Sequence, residues 1–273
     1  MGRTDAKRVG SRHTQEHPPA PECPEARIHR LVLWNIDLTL VDVVKVSREA
    51  YADAFRRVTG YPLVALPQTA GRTDSEIFFE ALALNEEGTD PPGQAEVGGQ
   101  ELLARYTTEL AAAFARRRDV LTVHGRALPG ARQAVSAVAG LPDVIQSVLT
   151  GTIRPNALAK LQAFGMDTHL DLEIGGYGSE VYPMGAQLLR SRGRAWEKYG
   201  TDIGPDATVY VADSVRDVEA ARIGGARCVA VATGRSTAAE LREAGADLVL
   251  ADLTDTEAVV TAISRLTSTV SAG

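Results

Sequence analysis

The sequence predicts an α/β fold built on a doubly wound parallel sheet, with an α-helical cap domain inserted near its start. From Leu31 onward, short apolar runs alternate with segments of helical periodicity, which is typical of repeated strand-helix units. Residues from about 43 to 127 carry helical signals rather than strand signals. In such a fold, ligands bind where the carboxyl ends of the strands meet the loops.

Composition narrows the possible partners. The chain has 273 residues, 44% of them apolar, which is enough for a substantial core. Its net charge of −6 offers no sequence-wide attraction for nucleic acid or an anionic membrane, so small solutes are the expected partners. Cys23 and Cys228 lie far apart and outside any metal-binding spacing, which favours two inert thiols. No apolar run approaches the roughly 20 residues that span a bilayer, and the N-terminus lacks a secretory apolar segment. A cytoplasmic protein is expected.

The domain boundaries follow from changes in composition. Residues 1–28 are polar and rich in proline, so they bury too little apolar surface to offset the entropy of ordering. We interpret them as a flexible N-terminal tail. Residues 29–42 and 128–273 form the predicted core, and residues 43–127 form the predicted helical cap.

The core elements follow in chain order. The predicted strands are short and rich in Val, Leu and Ile: Leu31–Trp34, Val144–Thr150, Leu170–Ile174, Thr208–Ala212, Cys228–Ala232 and Asp247–Leu250. The predicted helices lie between and after them: Ala157–Phe164, Ala186–Tyr199, Val215–Ile223, Thr237–Ala244 and Thr256–Leu266.

Two helices are predicted in the cap. The first is capped by Ser47 and ends at Gly60. The second carries apolar side chains at three- and four-residue spacing, at Leu103, Tyr106, Leu110 and Phe114. The Gly- and Pro-rich stretch Glu86–Gln100 is predicted to be a loop.

Polar residues follow three of the predicted strands. Asn35, Asp37 and Thr39 come after the first, where Asp and Thr are also ordinary turn residues. Thr150 and Gly151 end the second, ahead of a helix whose free N–H groups favour an anion. A Thr-Gly turn also serves simply to reverse the chain.

Two aspartates follow the strand Thr208–Ala212. Asp213 and Asp217 lie one helical turn apart at the start of a helix. Either one alone is explained by helix capping or by a favourable acid in the first turn. Helix capping does not explain why this pair occurs together with the polar cluster after the first strand.

These segments, in this order, resemble the haloacid dehalogenase superfamily, in its phosphoglycolate and sugar-phosphate phosphatase-like branch with a helical cap. The resemblance implies a Mg²⁺-dependent hydrolase of a small phosphorylated metabolite. Asn35 stands at the nucleophile position, where the family has aspartate, and Asp37 is the implied general acid/base. The implied metal ligands are Asn35, the backbone carbonyl of Asp37, and Asp213, with Asp217 orienting them. Leu38 stands where the family commonly has glycine.

The phosphate-binding elements implied by the resemblance are Thr150, Gly151 and a lysine. The lysine position aligns with Tyr182 or with Met184, and neither side chain carries positive charge. Other cations lie on nearby predicted helices, but solvated surface is the favoured interpretation for them: Lys160, Arg190, Arg192, Arg194 and Lys198. Within the cap, Gly71 to Asp74 resembles a substrate-facing loop, and a polar turn is an equal alternative.

The substitution at Asn35 leaves two functions open. A carboxamide is a far weaker nucleophile than a carboxylate, and it removes one negative charge from the metal site. The first function is a phosphatase that works at a reduced rate, with Asp37 activating water directly. The second is a catalytically silent protein that binds a phosphorylated ligand or a protein partner through the same cleft.

Overall fold

The structure is a computed structural model and describes residues 30–85, 98–179 and 183–267. Several predictions lie outside the described residues: the flexible tail, Cys23, Tyr182 and most of the loop Glu86–Gln100. The end of that loop prediction is wrong, because Gly99 and Gln100 already belong to a helix.

The described residues form eight strands and ten α-helices. The strands are β1 (Arg30–Trp34), β2 (Val41–Asp42), β3 (Arg126–Ala127), β4 (Val144–Thr150), β5 (Gly176–Tyr177), β6 (Thr208–Ala212), β7 (Arg227–Val231) and β8 (Leu248–Leu250). The helices are α1 (Val44–Thr59), α2 (Asp74–Asn85), α3 (Gly99–Ala115), α4 (Leu121–His124), α5 (Ala131–Ala139), α6 (Arg154–Ala163), α7 (Met184–Tyr199), α8 (Val215–Gly224), α9 (Ala238–Glu243) and α10 (Thr256–Thr267). Short 3₁₀ turns cover Arg118–Val120 and Pro205–Ala207.

Six strands form one parallel sheet in the order β5-β4-β1-β6-β7-β8. β1 lies between β4 and β6, with Leu31 paired to Ile145 on one side and to Thr208 on the other. The sheet order steps outward from β1 in both directions, as the doubly wound prediction requires. The predicted fold class is confirmed.

Helices cover both faces of the sheet because the inner strands are apolar on both. Val32 and Trp34 belong to one buried cluster, and Leu31 and Leu33 belong to the cluster on the opposite face. Successive side chains of a strand point to opposite faces, so a strand buried on both sides has a continuous apolar run.

One predicted strand is wrong. Leu170–Ile174 forms turns, and the edge strand is Gly176–Tyr177. The segment still lies along β4, since the Asp171 N–H donates to the Gln146 carbonyl at 2.8 Å and the Ser147 hydroxyl donates to the Asp171 carbonyl at 2.6 Å. The apolar side chains that suggested a strand instead lie on the buried side of these turns.

The first four helices lie between β1 and β4 in the chain, and two short strands bracket them. β2 pairs antiparallel with β3, with Val41 opposite Ala127. α1 packs on α3, and Phe78 of α2 stacks on Tyr106 of α3 with ring centroids 4.0 Å apart. The aromatic residues that the sequence placed on helix faces in this region are therefore buried core residues.

Across the described ranges, every helix is too short or too polar to cross a membrane.

Candidate functional site

The cleft lies at the carboxyl ends of β1, β4 and β6, beneath α1 and the segment that leads into α2. It has a cavity volume of about 70 Å³. Asn35, Thr150 and Asp213, which follow or end three different strands, all line it. The three chain-distant turns that the sequence singled out therefore meet in one cleft.

Asn35 is buried and tied down at both ends of its amide. Its Oδ1 accepts from the backbone N–H of Ile36 at 2.7 Å, and its Nδ2 donates to Asp213 Oδ1 at 3.1 Å. A backbone N–H can only donate, so this orientation of the amide is fixed. The amide N–H₂ group therefore faces Asp213, and the oxygen keeps one free lone pair.

Asp213 is a buried carboxylate at the start of the α8 turn. Its Oδ1 also accepts from the Thr39 hydroxyl at 2.8 Å. Burial and the negative charge of Asp217 raise the pKa of Asp213 above its usual range. Oδ2 lies against Gly234, where an added Cβ would come within 1.9 Å of that oxygen. Only glycine lets the chain after β7 pass so close to this carboxylate.

Asp217 lies deeper and is held by two hydroxyl groups. Tyr210 donates to its Oδ1 at 2.8 Å, and the Ser214 hydroxyl donates to its Oδ2. Ser214 also caps α8, accepting from the Asp217 N–H at 3.2 Å. Burial raises the pKa of Asp217. Asp217 thus supports the turn that carries Asp213.

Leu38 has a left-handed backbone, with φ of +58°. Glycine adopts this conformation freely, whereas a residue with a Cβ pays about 1 to 2 kcal/mol for it. The Leu38 N–H donates to the Val41 carbonyl at 2.7 Å, and the Thr233 hydroxyl donates to the Leu38 carbonyl at 2.6 Å. These bonds hold the strained turn between Asp37 and Thr39.

Asp37 forms an ion pair with Lys160, so the prediction that Lys160 is solvated surface is wrong. Lys160 is 2% exposed, and its Nζ lies 2.8 Å from Asp37 Oδ1 and 2.7 Å from Oδ2. Thr152 joins them: its hydroxyl donates to Asp37 Oδ2 at 2.8 Å and accepts from Lys160 Nζ at 2.9 Å. A lysine cation is thus buried directly behind the cleft.

Helical spacing held the signal for Lys160. It follows Ala157 by three residues and precedes Leu161 by one, and Ala157 and Leu161 both lie on the buried face of α6. A lysine on that face needs an acidic partner, and Asp37 provides it.

The other predicted cations lie elsewhere. Arg192 donates to the Gly225 carbonyl at 2.8 Å, Arg194 donates to the Gly175 carbonyl, and Lys198 pairs with Asp171 at 2.9 Å. Arg190 is exposed, and none of the four lines the cleft. Met184, one candidate for the lysine position, is the buried first residue of α7 and does line it.

The segment Gly71 to Asp74 faces the cleft and docks on the turn after β4. The Asp74 N–H donates to the Gly151 carbonyl at 2.7 Å. An added Cβ on Gly151 would lie 1.8 Å from the Arg72 carbonyl oxygen, so the two backbones touch. Thr150 is buried beside them and accepts from the Thr152 N–H at 3.2 Å, which leaves its own hydroxyl proton free to donate.

Sequence reasoning missed Tyr51 as a cleft residue, and it gave Asp74 no role beyond the resemblance of the segment Gly71 to Asp74 to a substrate-facing loop. Asp74 Oδ2 accepts from the Ile153 N–H at 2.8 Å, and its Oδ1 accepts from the Tyr51 hydroxyl at 2.7 Å. Burial raises the pKa of Asp74 to about 6. The sequence signals for Asp74 were that resemblance and its position at the start of a helix, where an acid is ordinary.

The oxygen donors for a hard cation are few. Within the described ranges, no three acidic, histidine or cysteine side chains converge as a metal site. The candidate set is instead one carboxylate, one amide and one carbonyl: Asp213, the amide oxygen of Asn35 and the backbone carbonyl of Asp37. Oxygen ligands of these kinds suit Mg²⁺, which also keeps several waters. Only one of these oxygens is charged, and the NH₂ group of Asn35 lies on the Asp213 side, so this is a weak donor set for a hard cation.

Two family models match the chain. One, described as haloacid dehalogenase-like hydrolase, matches residues 32–222, and one described as HAD-hydrolase-like matches residues 190–256. Among curated proteins, none matches.

Several solved structures share the fold. A putative β-phosphoglucomutase from Bacteroides vulgatus has 18% identity and a TM-score of 0.60, over 89% of this chain and 91% of that one. A predicted phosphoglycolate phosphatase from Haemophilus somnus has 18% identity and a TM-score of 0.55, over 85% and 97%. An aspartate-to-asparagine variant of CbbY from Rhodobacter sphaeroides, in complex with xylulose 1,5-bisphosphate, has 20% identity and a TM-score of 0.55, over 83% and 96%.

Proposed function

This chain belongs to the haloacid dehalogenase-like hydrolase family, and we propose that its cleft binds a small phosphorylated metabolite in a phosphatase-type site whose covalent step is disabled by Asn35. The observation that carries the proposal is the tethered amide of Asn35. Its nitrogen donates to Asp213, and its oxygen accepts from Ile36. No carboxylate stands where the family mechanism requires one to attack phosphorus.

The loss of that carboxylate is costly because the amide oxygen carries no formal charge. Knocking out a covalent nucleophile on unrelated enzymes costs several orders of magnitude in turnover and leaves only catalysis from binding and electrostatics. In this proposal the bound ester is held and hydrolysed far more slowly than by an aspartate-bearing form. Asp37, the family's general acid/base position, still lines the cleft.

The phosphate would bind at the turn after β4. The Thr150 hydroxyl has a proton free to donate to a phosphate oxygen. Lys160 lies behind Asp37, away from the phosphate, and acts through its charge. Its ammonium neutralises Asp37, so the floor of the cleft does not repel a phosphate dianion. In this proposal Lys160 takes the electrostatic role of the lysine missing at Tyr182 or Met184.

Mg²⁺ belongs to the proposal as a weakly held cofactor. Asp213, the amide oxygen of Asn35 and the Asp37 carbonyl would hold it, with Asp217 keeping the Asp213 turn in place. The ion would supply positive charge to the phosphate oxygens. Replacing a carboxylate by an amide lowers the affinity for Mg²⁺, because one charged ligand is lost.

Two similar structures agree with phosphate-ester chemistry in this fold. One is a predicted phosphoglycolate phosphatase. The other is the CbbY variant, in which an aspartate is replaced by asparagine and xylulose 1,5-bisphosphate is bound. They support the proposal that an asparagine-bearing chain of this fold binds a sugar phosphate.

The test compares the native chain with Asn35→Asp. With Mg²⁺ present and p-nitrophenyl phosphate as substrate, we expect Asn35→Asp to release phosphate at least about 10³-fold faster, following the losses seen on removing nucleophiles. Asn35→Ser is the matched control, because it removes the amide without adding a carboxylate, and it should show no gain. Calorimetry with a panel of sugar phosphates should detect binding to the native chain.

Two results would contradict the proposal. Equal turnover by the native chain and Asn35→Asp would show that the covalent step is not what Asn35 disables. Absence of both binding and turnover across the panel, for both forms, would remove the phosphorylated ligand altogether.

A further inference from the structure

The outward side of α7 carries two large apolar side chains that are open to solvent. Leu189 is 49% exposed and Trp196 is 59% exposed. They are seven residues apart, which is about two turns, so both project from one side of the helix. Gly193 lies between them, and an added Cβ there would meet open space. The surface of Leu189, Gly193 and Trp196, called the α7 face below, is therefore apolar with a notch near its middle.

A third exposed apolar side chain extends this surface onto α8. Ile223 is 62% exposed. It lies against α7 one turn before Leu189, since an added Cβ on Gly185 would come within 2.9 Å of the Ile223 Cγ2 atom. Arg192 fastens the two helices together by donating to the Gly225 carbonyl at 2.8 Å. Exposed apolar surface that is concentrated on one side of a protein is typical of an interaction site.

Two opposite charges flank the α7 face along one edge. Arg190 and Glu197 are both exposed. Arg190 follows Leu189 and Glu197 follows Trp196, so each charge is turned by about 100° from its apolar neighbour in the same direction. The midpoint between the two charges falls next to Gly193. The α7 face therefore has an apolar residue and a charge at each end, and the two charges have opposite signs.

Such a face is complementary to itself. If two copies of α7 lie antiparallel about a two-fold axis that passes beside Gly193, Arg190 of each chain lies opposite Glu197 of the other. Leu189 of each chain then lies beside Trp196 of the other. The two-fold axis makes every contact twice, so one helix face supplies two pairs of opposite charges and two apolar pairs.

We propose that the α7 face binds a second copy of this chain, packed antiparallel about that two-fold axis. The charges identify the occupant, because a symmetric dimer requires opposite charges at equal distances from one point and an unrelated partner does not. One helix and the edge of its neighbour form a contact at the small end of specific interfaces. We therefore expect a reversible dimer with a Kd of about 1 to 100 μM.

The proposed dimer is separate from the cleft. Met184 at the start of α7 lines the cleft, whereas Leu189, Gly193 and Trp196 do not. Self-association can therefore be measured without any ligand, and its outcome does not depend on the proposed function.

The test is sedimentation velocity of the full chain over concentrations from about 1 to 200 μM, which bracket the expected Kd. The native chain should shift from the monomer mass of 29.0 kDa to twice that mass. Arg190→Glu and Glu197→Arg each place like charges opposite each other, so each should weaken the dimer at least about tenfold. Trp196→Gln should do the same, because it removes the aromatic anchor of the contact.

A charge swap tests the antiparallel geometry. The double variant Arg190→Glu/Glu197→Arg should dimerise within about threefold of the native chain, because each contact again joins opposite charges. An equal mixture of the two single variants should also form dimers, each containing one chain of either kind. Arg105→Glu and Val123→Gln are the matched controls, since they change an exposed arginine on α3 and an exposed valine on α4. Both should dimerise like the native chain, and circular dichroism verifies that every variant is folded.

Three results would overturn the inference. A native chain that stays monomeric over the whole range has no such dimer. A dimer that Arg190→Glu, Glu197→Arg and Trp196→Gln leave intact, or that the two controls weaken equally, forms through another surface. Failure of both the double variant and the mixture to dimerise refutes the antiparallel pairing. None of these results bears on the cleft, which the comparison of the native chain with Asn35→Asp tests separately.

Discussion

Removing the charge of Asp37 should destabilise the fold more than removing the charge of Lys160. The two groups form one ion pair, but they differ in burial: the side chain of Lys160 is 2% exposed and that of Asp37 is 33% exposed. Asp37→Asn therefore leaves an ammonium that water cannot reach. Lys160→Met leaves a carboxylate that water can solvate and that Thr152 still contacts.

The magnitudes follow from that asymmetry. Stranding one partner of a buried pair costs about 3 to 5 kcal/mol. We expect about 3 kcal/mol for Asp37→Asn, since the amide oxygen still accepts one hydrogen bond from Lys160. We expect about 1 to 2 kcal/mol for Lys160→Met, because methionine keeps the unbranched stem and Asp37 gains hydration.

Urea denaturation of the native chain, both single variants and the double variant gives the test. The double variant should lose less free energy of unfolding than the two single variants together, by at least about 1 kcal/mol, because neither charge is then stranded. The reasoning is refuted if Lys160→Met costs as much as Asp37→Asn. It is also refuted if the two effects simply add.

Two further predictions concern the contact between the cap and the turn after β4. Asp74 has a pKa near 6, above its ordinary 3.8, so its contribution to stability is full below pH 4 and is lost as the pH rises through 6. Relative to the native chain, Asp74→Asn should therefore gain about 3 kcal/mol between pH 4 and pH 7 in urea titrations, and a pH-independent difference would contradict this. Gly151→Ala should lower the melting temperature and weaken ligand binding, because its Cβ would lie 1.8 Å from the Arg72 carbonyl oxygen. Gly193→Ala in α7 is its control: open space surrounds that Cβ, so a gain of about 0.5 to 1 kcal/mol is expected, and equal damage from both changes would refute the steric argument.

Much of the sheet could be predicted from the sequence because its inner strands are buried on both faces. Val144–Thr150 and Thr208–Ala212 have the predicted bounds. Edge strands lack that signal. β5 consists of Gly176 and Tyr177 only, and its neighbour Leu170–Ile174 has the better strand pattern but lies in turns. At this edge of the sheet, backbone pairing with β4 determines which residues form the strand, and the periodicity of apolar side chains gave the wrong segment.

The candidate site was predictable where residues follow a strand directly and unpredictable where they come from elsewhere. Asn35, Thr150 and Asp213 meet because parallel strands bring their carboxyl ends to one edge. Asp74 lines the cleft from a cap segment, and Lys160 lies directly behind the cleft on a face of α6. Helical spacing places Lys160 on the buried face, but the tertiary packing that brings it to Asp37 and brings Asp74 to the turn after β4 is not encoded in spacing along the chain. Lys160 was a candidate in the sequence, and a buried face of α6 decided its position.

The antiparallel pair β2–β3 has a consequence for engineering. Asp42 and Arg126 lie opposite each other in the two-stranded sheet, so the chain enters and leaves residues 43–125 at adjacent points. A two-residue Asn-Gly reverse turn suits such a pair. Splicing one in place of residues 43–125 would keep the connectivity of the six-stranded sheet but uncover Ile36 and Leu40, which share a buried cluster with the removed helices. The same junction would accept a foreign lid from another protein, which makes it a natural site for building chimeras.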